Sequence, residues 1–181
     1  MNEEYFDILD ENGNKTGETK PRSEVHRDGD WHAAVHIWII NNNREVLLQR
    51  RCANKDSHPN MLDISCAGHL SAGDSSLEGA VRELKEELGL DVKPEELEYI
   101  KTLKSESKYT SDFINNEFNA LYILRTDKGI EDMKYQEDEI SEIFFVTYEK
   151  FKEMVENHQP DLLRHEKEFK ILFEIFDKEA I

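Results

Sequence analysis

The chain of 181 residues is poor in cysteine, in basic residues and in long apolar runs. Its two cysteines, Cys52 and Cys66, are too few for a disulfide framework and lack the spacing of a metal site. We therefore expect two ordinary thiols in a reducing compartment. The longest uncharged apolar stretch, residues 33–40, contains His36 and is far shorter than the roughly 20 residues of a membrane span. The sequence predicts no transmembrane helix.

Acidic residues outnumber basic ones by 40 to 23, which gives a formal net charge of -17. Such a chain would repel a nucleic-acid backbone unless its basic side chains were concentrated on one face. We expect no nucleic-acid partner and no membrane partner, whereas a small polyanion could bind with the help of metal ions. The N-terminal residues are acidic and do not have the basic and apolar character of a leader, which favours a cytoplasmic location.

Hydrophobic patterning and turn residues predict most of the strands before most of the helices. Residues 5–9, 16–19, 31–40, 45–50, 61–66, 99–107, 117–125 and 142–146 have the pattern of strands. Helices are predicted over residues 76–88, over about 148–157 and after Pro160. No repeat or linker interrupts this order. We expect one domain over residues 1–181, a mixed sheet enclosed by helices, with a helical C-terminal extension at about 160–180.

The helix predicted over residues 76–88 combines an apolar stripe with an acidic side. The stripe consists of Leu77, Ala80, Val81, Leu84 and Leu88. Ser75 can cap the helix and Gly89 can end it. Glu83, Glu86 and Glu87 stand at positions i, i+3 and i+4, so their carboxylates project from one side, roughly opposite the stripe. That side is either a solvated acidic face or a site for a hard cation such as Mg2+ or Mn2+.

Residues 68–90 resemble the Nudix box, Gly-x5-Glu-x7-Arg-Glu-U-x-Glu-Glu-x-Gly-U, in which U is a bulky aliphatic residue. The positions that match are Gly68, Arg82, Glu83, Leu84, Glu86, Glu87, Gly89 and Leu90. Asp74 replaces the first glutamate and keeps its charge with a shorter reach. The resemblance implies the Nudix fold, an α/β/α sandwich with a mixed central sheet in the α/β (α+β) class, here with an added C-terminal helix.

The resemblance also implies a divalent-metal-dependent hydrolase. Its substrate would be a nucleoside diphosphate linked to another moiety, or a related small-molecule diphosphate. By the match to the box, Glu83, Glu86 and Glu87 coordinate Mg2+ or Mn2+, and Arg82 pairs with a box carboxylate to hold the helix. Metal ions neutralise a diphosphate and lower the pKa of an attacking water, so the chemistry suits an acidic protein. The protein is expected to be a monomer or a homodimer.

Segments outside the box are similar to the branch of the family related to isopentenyl-diphosphate isomerase. They comprise residues 24–36, 47–55 and 63–70. Two departures count against isomerisation. Ala67 stands where the isomerase has its catalytic cysteine, and Cys66, one residue away, would point to the opposite face of a strand. Asn115 stands where the isomerase has a glutamate. Isomerisation and a ligand-sensing module without catalysis are the alternatives to hydrolysis.

This second resemblance implies a further metal site. His26, His32 and His69 match the histidine metal ligands of the isomerase and could hold a second, transition metal. Ordinary polar groups of the core or surface are the alternative for these histidines. Glu117, on a predicted strand, is a candidate additional metal ligand. His36 is interpreted as a partly buried polar residue.

Basic residues and one more carboxylate complete the expected site. Arg51 and Lys55 match positions that contact the substrate diphosphate in the isomerase, and Arg22 has a comparable position. A role in surface solubility is the alternative, above all for Arg22. Glu139, in an acidic loop before a strand, is a candidate general base.

Overall fold

A computed structural model of the chain describes residues 3–55 and 57–179. The strands are β1 (Tyr5–Leu9), β2 (Lys15–Pro21), β3 (Trp31–Ile40), β4 (Glu45–Arg51), β5 (Leu62–Asp63), β6 (Cys66–His69), β7 (Leu97–Thr110), β8 (Phe113–Arg125) and β9 (Ile140–Thr147). The helices are α1 (Arg22–Asp28), α2 (Ser76–Leu88), α3 (Tyr148–Glu156) and α4 (Glu166–Lys178). Within the two described ranges, no helix has the length and apolar character needed to cross a membrane.

β3 lies at the centre of the sheet. It pairs in parallel with β8 along its whole length and antiparallel with β6, and it meets β1 and β4 near its two ends. β7 and β8 form a long antiparallel hairpin, and β9 pairs antiparallel with β4. Because parallel and antiparallel pairs occur together, the predicted mixed sheet is confirmed.

Apolar clusters on both faces of the sheet attach the helices to it. One cluster joins the sheet to α2 and includes Val35, Ile37, Ile39, Ala80, Leu84 and Leu88. The other joins it to α3 and α4 and includes Trp38, Ile40, Phe151, Leu172 and Phe176. Successive residues of β3 thus point into opposite clusters, as the period of two of a strand requires. Helices on both faces confirm the predicted α/β/α sandwich.

Some predicted boundaries are wrong. α1 was not expected, because it has seven residues, follows Pro21 and has no side-chain cap that would mark its start. The single strand predicted over residues 61–66 is two short strands, since β5 pairs with β4 while β6 pairs with β3. The C-terminal helix begins at Glu166 and not soon after Pro160, because a parallel bridge between Leu62 and Leu162 holds the preceding segment extended.

Candidate metal centre and substrate cleft

A cleft of about 880 Å³ lies beside α2 and extends over the face of the sheet that α4 covers. Ten of the residues predicted for the site line it: Arg22, His26, Arg51, Lys55, His69, Glu83, Glu86, Glu87, Glu117 and Glu139. His32 and Arg82 contact members of this lining, since His32 Nε2 is 3.8 Å from Glu117 Oε1 and Arg82 Nη1 is 2.7 Å from Glu83 Oε1.

Local sequence fixes the start and end of α2, which carries three of these carboxylates. Ser75 Oγ accepts a hydrogen bond from the backbone N–H of Glu78, whose carboxylate accepts from the backbone N–H of Ser75. At the other end Gly89 adopts a left-handed conformation with φ of 66°, which a glycine reaches at little cost. The helix therefore has the predicted bounds.

Two of the three glutamates on the acidic side of α2 face the sheet. Glu83 and Glu87 are buried, while the side chain of Glu86 is 55% exposed. The interpretation as a solvated acidic face is therefore wrong for Glu83 and Glu87. Gly68 on β6 makes room for this approach, because a Cβ there would overlap the Glu83 carboxylate.

Arg82 links the carboxylates of α2 to the neighbouring strand. Its Nη1 donates to Glu83 Oε1 at 2.7 Å and to Glu86 Oε2 at 2.9 Å, and its Nη2 donates to the carbonyl of His69 at 2.8 Å. Asp74, the residue that departs from the box, has Oδ2 3.5 Å from Arg82 Nε. The guanidinium thus holds two carboxylates and the end of β6 in one arrangement.

The electrostatics of the buried glutamates favour a bound cation. Burial raises the pKa of Glu83 to about 7, against the opposing effect of Arg82. Burial and the charge of Glu83 raise the pKa of Glu87 to about 8. The three carboxylates of α2 offer oxygen ligands, and a divalent cation would remove the repulsion between them. The donor set therefore fits Mg2+ or Mn2+.

A second cluster lies by the cleft, where His26, His32 and His69 each bring one ring nitrogen within 4.8 Å of the others. Glu117 Oε1 is 3.2 Å from His69 Nε2 and 3.8 Å from His32 Nε2. Asn115 Oδ1, at the position where a second glutamate was expected in an isomerase, is 3.1 Å from His26 Nε2.

The histidine cluster has the properties of a ligand set for a transition metal. Burial lowers the pKa of both His26 and His32 to about 4, so their rings are neutral near pH 7. Their Nδ1 atoms lie 3.0 Å from the carbonyls of Arg22 and Asp30, an orientation that directs Nε2 toward the cluster. Among the described residues, the buried Nε2 atom of His32 has no hydrogen-bond partner.

The three basic residues predicted for the cleft each have a carboxylate partner. Arg51 Nη1 donates to Asp63 Oδ2 at 3.1 Å, and Arg22 Nη1 donates to Glu4 Oε2 at 2.8 Å. Lys55 Nζ donates to Glu139 Oε2 at 2.7 Å. Glu139, the candidate general base, is therefore ion-paired with Lys55, a candidate phosphate-binding residue.

The family follows from a comparison with known proteins, since the NUDIX domain model matches residues 30–165. The chain belongs to the Nudix family. Nudix hydrolase 3 of Arabidopsis thaliana is 46% identical over 165 residues, which cover 88% of this chain and 21% of that protein. The Nudix chain thus spans about a fifth of that relative. The predicted membership of the Nudix family is confirmed.

The isomerase resemblance and the fold are confirmed as well. An isopentenyl-diphosphate Delta-isomerase of Serratia proteamaculans is 30% identical to the Nudix chain over 121 residues, 67% of this chain and 65% of that protein. The crystal structure of DR0079 from Deinococcus radiodurans superposes with a TM-score of 0.68 at 19% identity, covering 94% of this chain and 98% of that one. At this identity the second match concerns the fold alone.

Adjacent residues of β6 in the Nudix chain face opposite sides of the sheet. Ala67 lines the cleft, opposite His36 in the strand register. Cys66 is fully buried in the cluster beneath α2, where burial and the nearby Glu87 raise the pKa of its thiol. Cys52 and Cys66 are both free thiols. The cleft therefore presents a methyl group where the isomerase resemblance would require a thiol.

Sequence reasoning missed the polar residues that the C-terminal helix adds to the Nudix cleft. His36 is buried, and its Nδ1 is 2.6 Å from Oε1 of Glu168 on α4. His165, which precedes α4, has Nε2 2.9 Å from Oδ1 of Asp63. Burial lowers the pKa of His36, but the Glu168 carboxylate outweighs it and raises this pKa to about 9. No local motif marks these contacts, because the partners are more than 100 residues apart in sequence.

Proposed function

We propose that the protein is a divalent-metal-dependent pyrophosphohydrolase. Its substrate is a nucleoside diphosphate linked to another moiety, or a related diphosphate compound. One observation carries the proposal: α2 places two buried carboxylates, Glu83 and Glu87, in the cleft, and burial raises their pKa values. Buried like charges destabilise a fold unless a cation neutralises them, so their location supports a cation-dependent role.

Each group of cleft residues has a task in this reaction. Glu83, Glu86 and Glu87 would hold Mg2+ or Mn2+, which supplies neutralisation of the diphosphate and a more acidic water when bound. Arg51 and Lys55 bind the phosphate oxygens, Arg51 through two donors and Lys55 through a point charge.

The ion pair between Lys55 and Glu139 suggests how the general base is released. Glu139 takes the proton of the attacking water once the phosphate has drawn Lys55 away from it. The pairing of Lys55 Nζ with Glu139 Oε2 at 2.7 Å supports this coupling, because one substrate contact then frees the base. Arg22 would add a further positive charge at the cleft entrance.

The histidine cluster is a proposed second metal site. His26, His32 and His69, with Glu117, would bind a transition metal through nitrogen and oxygen atoms. The unpartnered Nε2 of His32 supports this assignment. A metal there would add positive charge to the cleft and strengthen its attraction for a polyanion.

Two alternatives have weaker support. Isomerisation requires an acid and a base across a carbon skeleton, whereas Ala67 in the cleft can neither donate nor accept a proton. A sensing module without catalysis would bind its ligand without the need for two crowded, buried carboxylates. Hydrolysis accounts for both the carboxylates and the basic side chains.

A screen of diphosphate compounds with Mg2+, Mn2+ or neither, with phosphate and nucleotide release as the readout, tests the proposal. We expect metal-dependent release from the wild type and a strong loss in Glu83→Gln. Glu149→Gln is the matched control, because Glu149 is exposed on α3 and does not line the cleft. Equal turnover in Glu83→Gln and Glu149→Gln would refute the assigned role of the buried carboxylate.

A further inference from the structure

Beyond the carboxylates of α2, the cleft extends over the middle of the sheet. Ala34 on β3 lies there between His69 on β6 and Asn119 on β8, its two partners in register. All three residues line the cleft. We call this part of the cleft, where the small side chain of Ala34 stands between His69 and Asn119, the Ala34 hollow. His36, two positions along β3, points to the same face and borders it.

Asn119 is a buried polar group at one side of the Ala34 hollow. The residue is 4% exposed. Its Nδ2 donates to Ser105 Oγ at 3.0 Å, whereas its buried Oδ1 accepts from no described residue. Turning the amide by a half-rotation would exchange the two atoms, and either orientation leaves one of them without a partner. Unpartnered buried polar atoms are rare in native proteins, so this one points to a ligand.

His36 is the polar group at the other side of the hollow. Its Nδ1 lies 2.6 Å from Oε1 of Glu168, and the other oxygen of that carboxylate accepts from Trp38 Nε1 at 2.8 Å. These bonds fix the ring and leave Nε2 as the nitrogen available to the cleft. The Glu168 carboxylate raises the pKa of His36 to about 9 despite burial, so Nε2 carries a proton and is a donor.

We propose that the Ala34 hollow binds a hydroxyl-bearing group of the substrate, such as the diol of a sugar or polyol, through Asn119 and His36. The inference rests on the proposed function, because a diphosphate held beside α2 directs the rest of the substrate into the hollow. A hydroxyl both donates and accepts, so it satisfies the Asn119 amide in either orientation. His36 and Asn119 are diagonal neighbours on the parallel strands β3 and β8. A strand spacing of about 4.8 Å and a rise of about 6.6 Å over two residues place them roughly 8 Å apart, which lets one small ligand reach both side chains.

The same groups disfavour an aliphatic substrate. A prenyl chain in the hollow would cover Asn119 and His36 without offering either a hydrogen bond, and covering unpaired polar groups is unfavourable. Sites that hydrogen-bond a hydroxyl discriminate strongly against analogues that lack it. The hollow therefore separates hydroxyl-bearing diphosphates from prenyl diphosphates.

Titration calorimetry with paired probes tests the assignment on the wild-type protein. One pair is ADP-ribose and the cyclopentyl ester of ADP, and the other is CDP-glycerol and the propyl ester of CDP, with Ca2+ in place of Mg2+ to slow turnover. In the second pair only the hydroxyl groups differ, whereas the carbocycle of the first pair also lacks the ring oxygen and the exocyclic CH2 of ribose. We expect the hydroxyl-bearing member of at least one pair to bind at least about tenfold more tightly, or about 1.4 kcal/mol. Equal affinities within both pairs would overturn the proposal.

Asn119→Leu assigns the preference to the amide. Leucine has a similar size, and the residues next to Asn119 on its face include Leu103 and Leu121. We expect this variant to lose most of the preference while its affinity for inorganic pyrophosphate stays within about twofold. Ser105→Ala, which removes the partner of the amide without removing the amide, should cause a smaller loss of preference. An unchanged preference in a folded Asn119→Leu protein would overturn the role of Asn119.

Turnover of the same probes with Mg2+ separates this inference from the proposed function. Hydrolysis without any preference within the pairs would refute the hydroxyl subsite and leave the hydrolase intact. A clear binding preference without hydrolysis of any probe would support the subsite and refute the hydrolase.

Discussion

Gly68→Ala tests whether the close approach of α2 to β6 sets the position of the Glu83 carboxylate. The backbone of Gly68 does not have a positive φ, so alanine introduces no backbone strain of its own. Its Cβ would instead overlap the carboxylate, which would have to retreat by roughly 1 Å or more to reach the 3.4 Å of ordinary contact. A misplacement of about 1 Å can lower a reaction rate about 100-fold. We therefore expect metal-dependent turnover to fall about 100-fold, or about 2.7 kcal/mol of transition-state stabilisation.

Gly79→Ala is the matched control for this substitution. A Cβ at Gly79 would also overlap a side chain, but that side chain is the flexible end of Leu70 and carries no charge. We expect its turnover to stay within about threefold of the wild type, since only apolar packing adjusts. Circular dichroism and thermal unfolding would verify that both variants are folded.

A double-mutant cycle identifies the group through which Gly68→Ala acts. If the alanine displaces the Glu83 carboxylate, adding Gly68→Ala to Glu83→Ala should cost little further activity, because the displaced group is already absent. Additive losses from the two substitutions would refute the reasoning. So would a Gly68→Ala protein with wild-type turnover.

Four further outcomes are expected. Excess chelator should abolish hydrolysis and Mg2+ or Mn2+ should restore it, so full turnover in chelator would contradict the carboxylate site. Glu86→Gln and Glu87→Gln should each fold and lose at least about 100-fold in turnover, and activity in the tens of per cent in either would count against its role. The pKa of His36 is raised from 6.5 to about 9, so its ion pair should stabilise the fold fully below about pH 6.5 and progressively less as the pH rises through 9. Denaturation at several pH values should show the free energies of unfolding of the wild type and His36→Gln converging as the pH rises. A difference between the two proteins that does not change with pH would exclude this contribution of the ion pair. Isopentenyl diphosphate with Mg2+, Zn2+ or Mn2+ should yield no dimethylallyl isomer by NMR, whereas steady formation abolished by Cys66→Ala would reverse the reaction assignment.

Sequence patterns predicted elements whose ends are determined locally. The bounds of α2 follow from its capping box and its terminal glycine, and β3 follows from an apolar run between turn residues. The division of residues 61–66 between β5 and β6 depends instead on Ser65, whose hydroxyl donates to the Leu47 carbonyl and accepts from the Ile39 backbone N–H. Such a crossover between two partner strands has no local signature.

The candidate site likewise has a part that the sequence predicted and a part that it did not. The box spacing identified Glu83, Glu86 and Glu87 as a group, but not that two of them are buried, because burial depends on the approach of β6 at Gly68. The sequence also did not predict that polar residues come together at the Ala34 hollow. Its members come from β3, β8 and α4, and only the strand register and the docking of α4 bring them together.

The docking of α4 also determines when the cleft can be completed during synthesis. His36 and its partner Glu168 are separated by 132 residues. At about 5–20 residues per second, translation of that interval takes roughly 7–26 s. During this time the nascent chain has Trp38 and its apolar neighbours on the sheet without their covering helix. The apolar part of this face, which lies beside the cleft and is not part of its lining, is therefore uncovered by α4 until that helix has emerged from the ribosome.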